Sequence, residues 1–197
     1  MTIGTMNDAG IPKTPNPQGK GLVPVLDSIG ASRPTAAVPP KHIEQISSEL
    51  FTSMFVLSSQ FQFKPVVGQS YWLYRKGKSF RLSLISPEEW RGGFGQYVGH
   101  CQLQNDITWT LELDNEAAKD AKLIQLIAAK RAEFESKLQA VETLEQILPV
   151  FDASLPFYQR VFASALAHSL SISMHKSDIH NLSYQQARKL LGRDNNY

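Results

Sequence analysis

Hydrophobic and polar positions alternate with a period of two along Phe80-Arg81-Leu82-Ser83-Leu84, so Phe80, Leu82 and Leu84 share one face and Arg81 and Ser83 the other. That is the pattern of a half-buried strand. Tyr71-Trp72-Leu73-Tyr74 is a second run of strand formers, and the short Lys76-Gly77-Lys78-Ser79 connection between the two predicts a hairpin. Patterning of the same kind resumes at Gln96 to Gln104 and at Ile107 to Leu111, where Ile107, Trp109 and Leu111 fall on one side. Between these runs, Ser86-Pro87-Glu88-Glu89 reads as a helix start. Ser86 is the N-cap, Pro87 takes the first helical position and Glu89 closes a capping box. Arg91 to Gly95 then forms a glycine-rich turn.

The period changes to steps of three and four on either side of this block. Ile43, Ile46, Leu50, Met54, Leu57 and Phe61 predict a helix over about 41–60, with Phe51 and Phe55 widening its apolar face enough for burial on two sides. Downstream, Asp114 or Asn115 can cap a helix that runs to Leu148, where Pro149 stops it. Ile127, Phe134, Val141 and Leu148 recur at sevens, Ile124 and Leu138 fill the alternate seam, and Arg131 and Glu145 interrupt it. Such a helix would be about 50 Å long, more than a small sheet is wide, and so calls for a helical partner. The next helix, starting near Ser154 and Pro156 with Phe162, Leu166, Leu170 and Met174 at fours, is the natural one. Leu182-Ser183-Tyr184-Gln185-Gln186 repeats the capping-box logic and Gly192 is placed to end a short last helix. The expected fold is α+β: a three- to four-stranded antiparallel β-meander packed with an N-terminal helix, a C-terminal helical hairpin and a short last helix.

Seven of the eleven prolines lie within the first 40 residues, so 1–38 is read as a Pro/Gly-rich tail, 39–125 as the core and 126–197 as a helical extension on the core or on a partner. Within the tail, Gly21 to Leu26 is an apolar island able to dock on the domain.

Three stretches, Tyr71 to Tyr74, Ser83-Leu84-Ile85-Ser86-Pro87-Glu88-Glu89-Trp90 and Leu103 to Trp109, resemble the uncharacterised domain of unknown function 2452 family, with similarity over about residues 61–125. The resemblance implies an intracellular α+β domain and brings no activity, cofactor or catalytic residue with it. The helices after about residue 126 depart from the family's pattern and read as an extension.

Composition narrows the function classes only slightly. Twenty basic against eighteen acidic residues leave +2, which gives bulk charge no reason to favour nucleic acid or membrane. One cysteine, Cys101, excludes an internal disulfide and a cysteine-rich zinc site. The start of the chain lacks the apolar core of a signal peptide and no stretch approaches a membrane span, so the expected location is cytoplasmic.

Candidate chemistry is sparse. His168, His175 and His180 with Asp178 have the wrong spacing for one ion, since seven residues put two helical turns between ligands. Cys101 and His100 are strand neighbours on opposite faces, which suits a buried structural thiol. No Gly-x-Ser-x-Gly elbow is present, and Gly19-Lys20-Gly21 lacks the remainder of a phosphate loop. Arg75, Lys76, Lys78 and Arg81 are ordinary for a solvated hairpin tip, so a nucleic-acid ligand is not expected. No metal and no cofactor are predicted. The leading expectation is a non-catalytic binding or scaffolding domain, with Ile127, Phe134 and Val141 offering an apolar seam to another chain or a second copy. The alternative is a small-molecule sensor or enzyme at the Trp90 to Tyr97 turn. There Trp90, Arg91 and Tyr97 would stack on a ligand while Glu88 or Glu89 acted as acid or base.

Overall fold

The computed structural model describes residues 38–90, 95–150 and 154–194. The tail expected over 1–38, with its apolar island, lies outside the described residues except for Val38, which is buried; Arg91 and the glycines that follow it at 92 and 93 lie outside them too. The first helix, α1, runs from Ile43 to Leu57, with His42 as its N-cap. His42 Nδ1 accepts the Gln45 backbone N–H at 3.2 Å. Ile43, Ile46 and Leu50 form the expected buried stripe, and Phe51 and Phe55 are buried as well. The two-sided burial is real: Phe55 meets Phe80 of the sheet edge-on at 4.9 Å, while Phe51 lies 5.7 Å from Phe134 of a later helix.

Four antiparallel strands follow, β1 (Ser70–Lys76), β2 (Ser79–Ser83), β3 (Gln96–Leu103) and β4 (Trp109–Leu113). The α+β class and the antiparallel sheet are as expected, but the strand order is β2-β1-β3-β4, so the chain does not follow the strict sequence of a meander. The reason lies in β1, which buries Tyr71 and Leu73 on one face and Tyr74 on the other, as a central strand must. Gly77, at φ +61, opens the two-residue connection to β2, and Lys78 after it has an ordinary φ. That combination marks a type II′ hairpin turn, whose twist matches that of the strands. The β1–β3 register shifts between Leu73, opposite Gly99, and Tyr74, opposite Tyr97, leaving Val98 as the extra residue of a bulge. At the far edge, α1 lies against β4, and Ser53 Oγ accepts the Trp109 backbone N–H at 2.9 Å. A helix beside an edge strand protects it from pairing with another chain.

Beyond the sheet the single long helix is not formed. Instead α2 (Asn115–Lys119), α3 (Ala121–Ala140) and a 3-10 turn (Leu144–Ile147) succeed one another. Asp114 is the cap of α2, accepting the Glu116 N–H at 3.0 Å, and Asp120 breaks the run. With extended backbone, Asp120 ends α2 and caps α3 through the Lys122 N–H at 2.9 Å and the Leu123 N–H at 3.2 Å. A carboxylate that bonds the amides two and three residues ahead outcompetes helix continuation. Val141, also extended, ends α3, which is therefore about 30 Å long.

The expected helical hairpin is replaced by a different pairing. The next helix, α4 (Phe157–Lys176), takes α1 as its neighbour, burying Phe162, Leu166, Leu170 and Met174 at the spacing read from the sequence. Ser183 and Gln186 form the reciprocal box at the start of α5 (Tyr184–Asp194), with bonds of 2.8 and 3.3 Å. Gly192 does not terminate this helix, which continues to Asp194. One hydrophobic cluster joins α1, the sheet and α4. Among the described residues no helix is long and apolar enough to cross a membrane.

Candidate functional site

Ser86 and Glu89 make the reciprocal bonds of a capping box. The Ser86 N–H donates to Glu89 Oε2 at 3.2 Å and the Glu89 N–H donates to Ser86 Oγ at 3.4 Å. They stabilise a single turn, closed by the Trp90 N–H donating to the Ser86 carbonyl at 3.1 Å. This turn folds the chain back over the outer face of the sheet and sets Trp90 against Tyr74, with ring centroids 5.8 Å apart. Tyr97 approaches Tyr74 from the other side at 5.7 Å, and the Tyr74 hydroxyl donates to the Ile85 carbonyl at 2.9 Å.

The electrostatics of this group follow from its position. Burial first, then the Asp114, Tyr74, Cys101 and Glu88 charges, push the Tyr97 phenol up to about 12. The Tyr74 phenol is raised by burial and then by Glu88 and Glu89. Trp90, Tyr97 and Glu88 are thus gathered around Tyr74. In sequence Tyr74 is only one of a run of strand formers, and its role as the hub depends on partners from two later segments.

A cleft of about 730 Å³ opens on the far side of Trp90. It lies between the segment after α1 (Phe61, Phe63), the end of β2 and the residues after it (Leu82, Leu84, Ile85), and the start of α4. Its volume falls within the range of ligand-binding pockets, and its walls are mainly apolar. Neither Glu88 nor Tyr97 lines it. Leu84 and Ile85, on its wall, are 54% and 41% exposed.

The origin of the cleft is visible in the backbone. The Gln60 N–H donates to the Phe80 carbonyl at 2.9 Å and the Leu82 N–H donates to the Gln60 carbonyl at 3.0 Å, which makes one parallel bridge on the outer edge of β2. The pairing ends there. Gln159 Nε2, reaching from α4 to the Phe61 carbonyl at 3.2 Å, holds the diverging segment away from β2.

The other candidates are placed as follows. Ile127 and Phe134 are half-buried and packed against the chain's own core, and Val141 ends α3 rather than extending its seam, so the three do not line one exposed strip. Arg131, which interrupts that seam in sequence, stacks its guanidinium over Phe51 at 4.6 Å. Cys101 is fully buried, which pushes its thiol up, and His100 points to the opposite face beside Trp72. His168 and His175 are exposed, the His175 ring stacks on His180 at 4.4 Å, and among the described residues no three such side chains are grouped to hold an ion. Of the basic hairpin residues, Arg75 is engaged by the Gly77 carbonyl at 2.8 Å and by Asp120 at 3.4 Å.

A buried polar cluster unforeseen in the sequence lies at the opposite end of the molecule. Lys41, just before α1, is 5% exposed and its Nζ pairs with both Glu49 and Asp106. Burial alone would raise the Asp106 carboxyl, but hydrogen bonds from Lys41 and Thr108 outweigh it and hold that carboxyl below its usual range. The Lys41 backbone N–H donates to Ser177 Oγ at 2.8 Å, Lys176 Nζ to the Val38 carbonyl at 2.7 Å and Ser173 Oγ to the Pro39 carbonyl at 2.8 Å. The entering chain is thereby fastened to the C-terminal end of α4. In sequence Lys41 is only a lysine after two prolines, and its partners are 8 and 65 residues away.

A family described as a protein of unknown function (DUF2452) matches residues 43–129, a segment spanning α1, the sheet, α2 and the first half of α3. The matched segment is less than half of the chain, and α4 lies outside it. No curated protein and no solved structure matches the chain.

Proposed function

We propose that this protein is a cytoplasmic, non-catalytic binding module that holds an extended apolar segment of a protein partner in the cleft beside Trp90. The observation that carries the reading is the exposure of Leu84 and Ile85 on the wall of a cleft of about 730 Å³. Apolar surface gathered in a concavity is stabilised by being covered, and large exposed apolar patches on soluble chains mark interaction sites. The outer edge of β2, where Gln60 already bonds the Phe80 carbonyl and the Leu82 N–H, is an edge on which extended backbone can lie. The partner belongs at this cleft rather than along α3, because Ile127 and Phe134 already face their own core.

The catalytic alternative at the Trp90 to Tyr97 turn has weaker support. Glu89 is engaged as a cap, and Glu88 and Tyr97 stand outside the cleft. The test is an NMR titration of the full chain with a panel of uncharged apolar hexapeptides, read at the Leu84 and Ile85 amides. The expected result is a subset of peptides that shifts both amides, with Leu84→Asp weakening them about ten-fold, as loss of one well-buried apolar contact would. A panel that leaves both amides unmoved, alongside a metabolite that raises Tm only while Glu88 is intact, would overturn the reading in favour of the alternative.

A further inference from the structure

We infer that the chain carries its own occupant for this cleft, the uncharged segment Leu22-Val23-Pro24-Val25-Leu26, which competes there with a partner. The inference rests on the cleft being a binding site, as proposed above.

Two observations point to this segment. The first is where the described chain begins. Val38 and Pro39 are fastened by Lys176 and Ser173 to the C-terminal end of α4, whereas the cleft lies at the N-terminal end of that helix, beside Gln159. From Gln159 to Ser173 the helix axis rises about 21 Å, and residues 27–37 can span up to about 35 Å when extended. The tether is long enough to bring residues 22–26 to the cleft.

The second observation is chemical match. The segment lies between Lys20 and Asp27 with no charge inside it, and among the described residues that line the cleft Arg81 is the one that carries a charge. Pro24 fixes its own φ and biases Val23 to extended backbone, so little ordering entropy remains to oppose docking along an extended edge. The depression nearer to Val38, bounded by Pro40, Ile43 and Leu190, is only about 240 Å³, below the usual range for a ligand pocket. A tether of this length supplies an effective concentration on the order of 1 mM, so even a segment with an intrinsic Kd of about 1 mM fills the cleft about half of the time.

The experiment uses the full chain with a nitroxide on Gln62→Cys at the cleft rim, where Gln62 is exposed and the one native cysteine, Cys101, is buried. The expected result is loss of amide intensity at residues 22–26 beyond that at residues 5–10, abolished by Val23→Asp with Val25→Asp. A synthetic peptide of residues 20–28 is the second probe. It is expected to bind that double variant more tightly than the parent chain, by up to about ten-fold if the tethered segment is mostly docked. Uniform intensity loss along the tail, with equal peptide affinity for the two chains, overturns the inference. If apolar hexapeptides still shift Leu84 and Ile85 in that case, the cleft stands as a partner site without an internal competitor. If they do not, the cleft reading falls as well.

Discussion

Gly99 marks the place where one atom decides the sheet. A Cβ at this position would lie 2.2 Å from the Glu112 carbonyl oxygen on the neighbouring strand, and that backbone cannot yield without breaking the β3–β4 ladder. Gly99→Ala is therefore expected to lower stability by about 3 kcal/mol, the upper end for overpacking, read as a fall in urea midpoint. A midpoint unchanged from the parent would show that β4 can move aside. Ile107 is the opposite case, a buried β-branched residue held at φ +67, which its backbone disfavours. Burial of its side chain and the Ile107 N–H donating to the Gln104 carbonyl at 3.0 Å outweigh a conformational cost of about 1–2 kcal/mol. Neither requirement is visible in the residue name alone. Gly99 stands within a good strand run, and the sequence pattern makes Ile107 an ordinary strand residue, whereas β4 begins only at Trp109.

At the scale of elements, caps were legible and breaks were not. Ser86 with Glu89 and Ser183 with Gln186 were read from local spacing, because a cap bonds amides two or three residues away and needs no distant partner. Asp120 uses the same chemistry, but in sequence it sits inside a run of helix formers, Glu116 to Lys122, that conceals it. The joint between the entering chain, α1 and the β3–β4 turn depends on Lys41 between Glu49 and Asp106. Lys41→Met would leave two facing carboxylates without their cation, and the expected loss is about 3 kcal/mol in urea unfolding. Adding Glu49→Gln and Asp106→Asn should recover part of it, since the repulsion then disappears. A Lys41→Met chain as stable as the parent would mean that the cluster is solvated in solution.

For the whole molecule, alkaline pH probes how well the two faces of the sheet are covered. Tyr71, Tyr74 and Tyr97 all have phenols raised by burial, Tyr97 to about 12, so the folded chain keeps protons that the unfolded chain releases near pH 10. Stability from these groups is intact below about pH 10 and declines as pH rises from there toward 12. The urea midpoint should fall across that interval and fall less in Tyr97→Phe; a flat midpoint would contradict the burial of this cluster. The helices beyond the matched family segment also belong at this scale. Phe162, Leu166, Leu170 and Met174 complete a core begun by α1 and the sheet, so the C-terminal part is no appendage. The two periodicities with the strands and helix faces they imply, and the capping boxes, are legible in the chain alone, because each depends on neighbours a few residues away. The strand order, the pairing of α4 with α1, the Lys41 cluster and the cleft beside Trp90 arise from long-range contact. Each of these depends on which distant surfaces meet, and the apolar faces that meet in one core are chemically alike, so local pattern does not tell them apart.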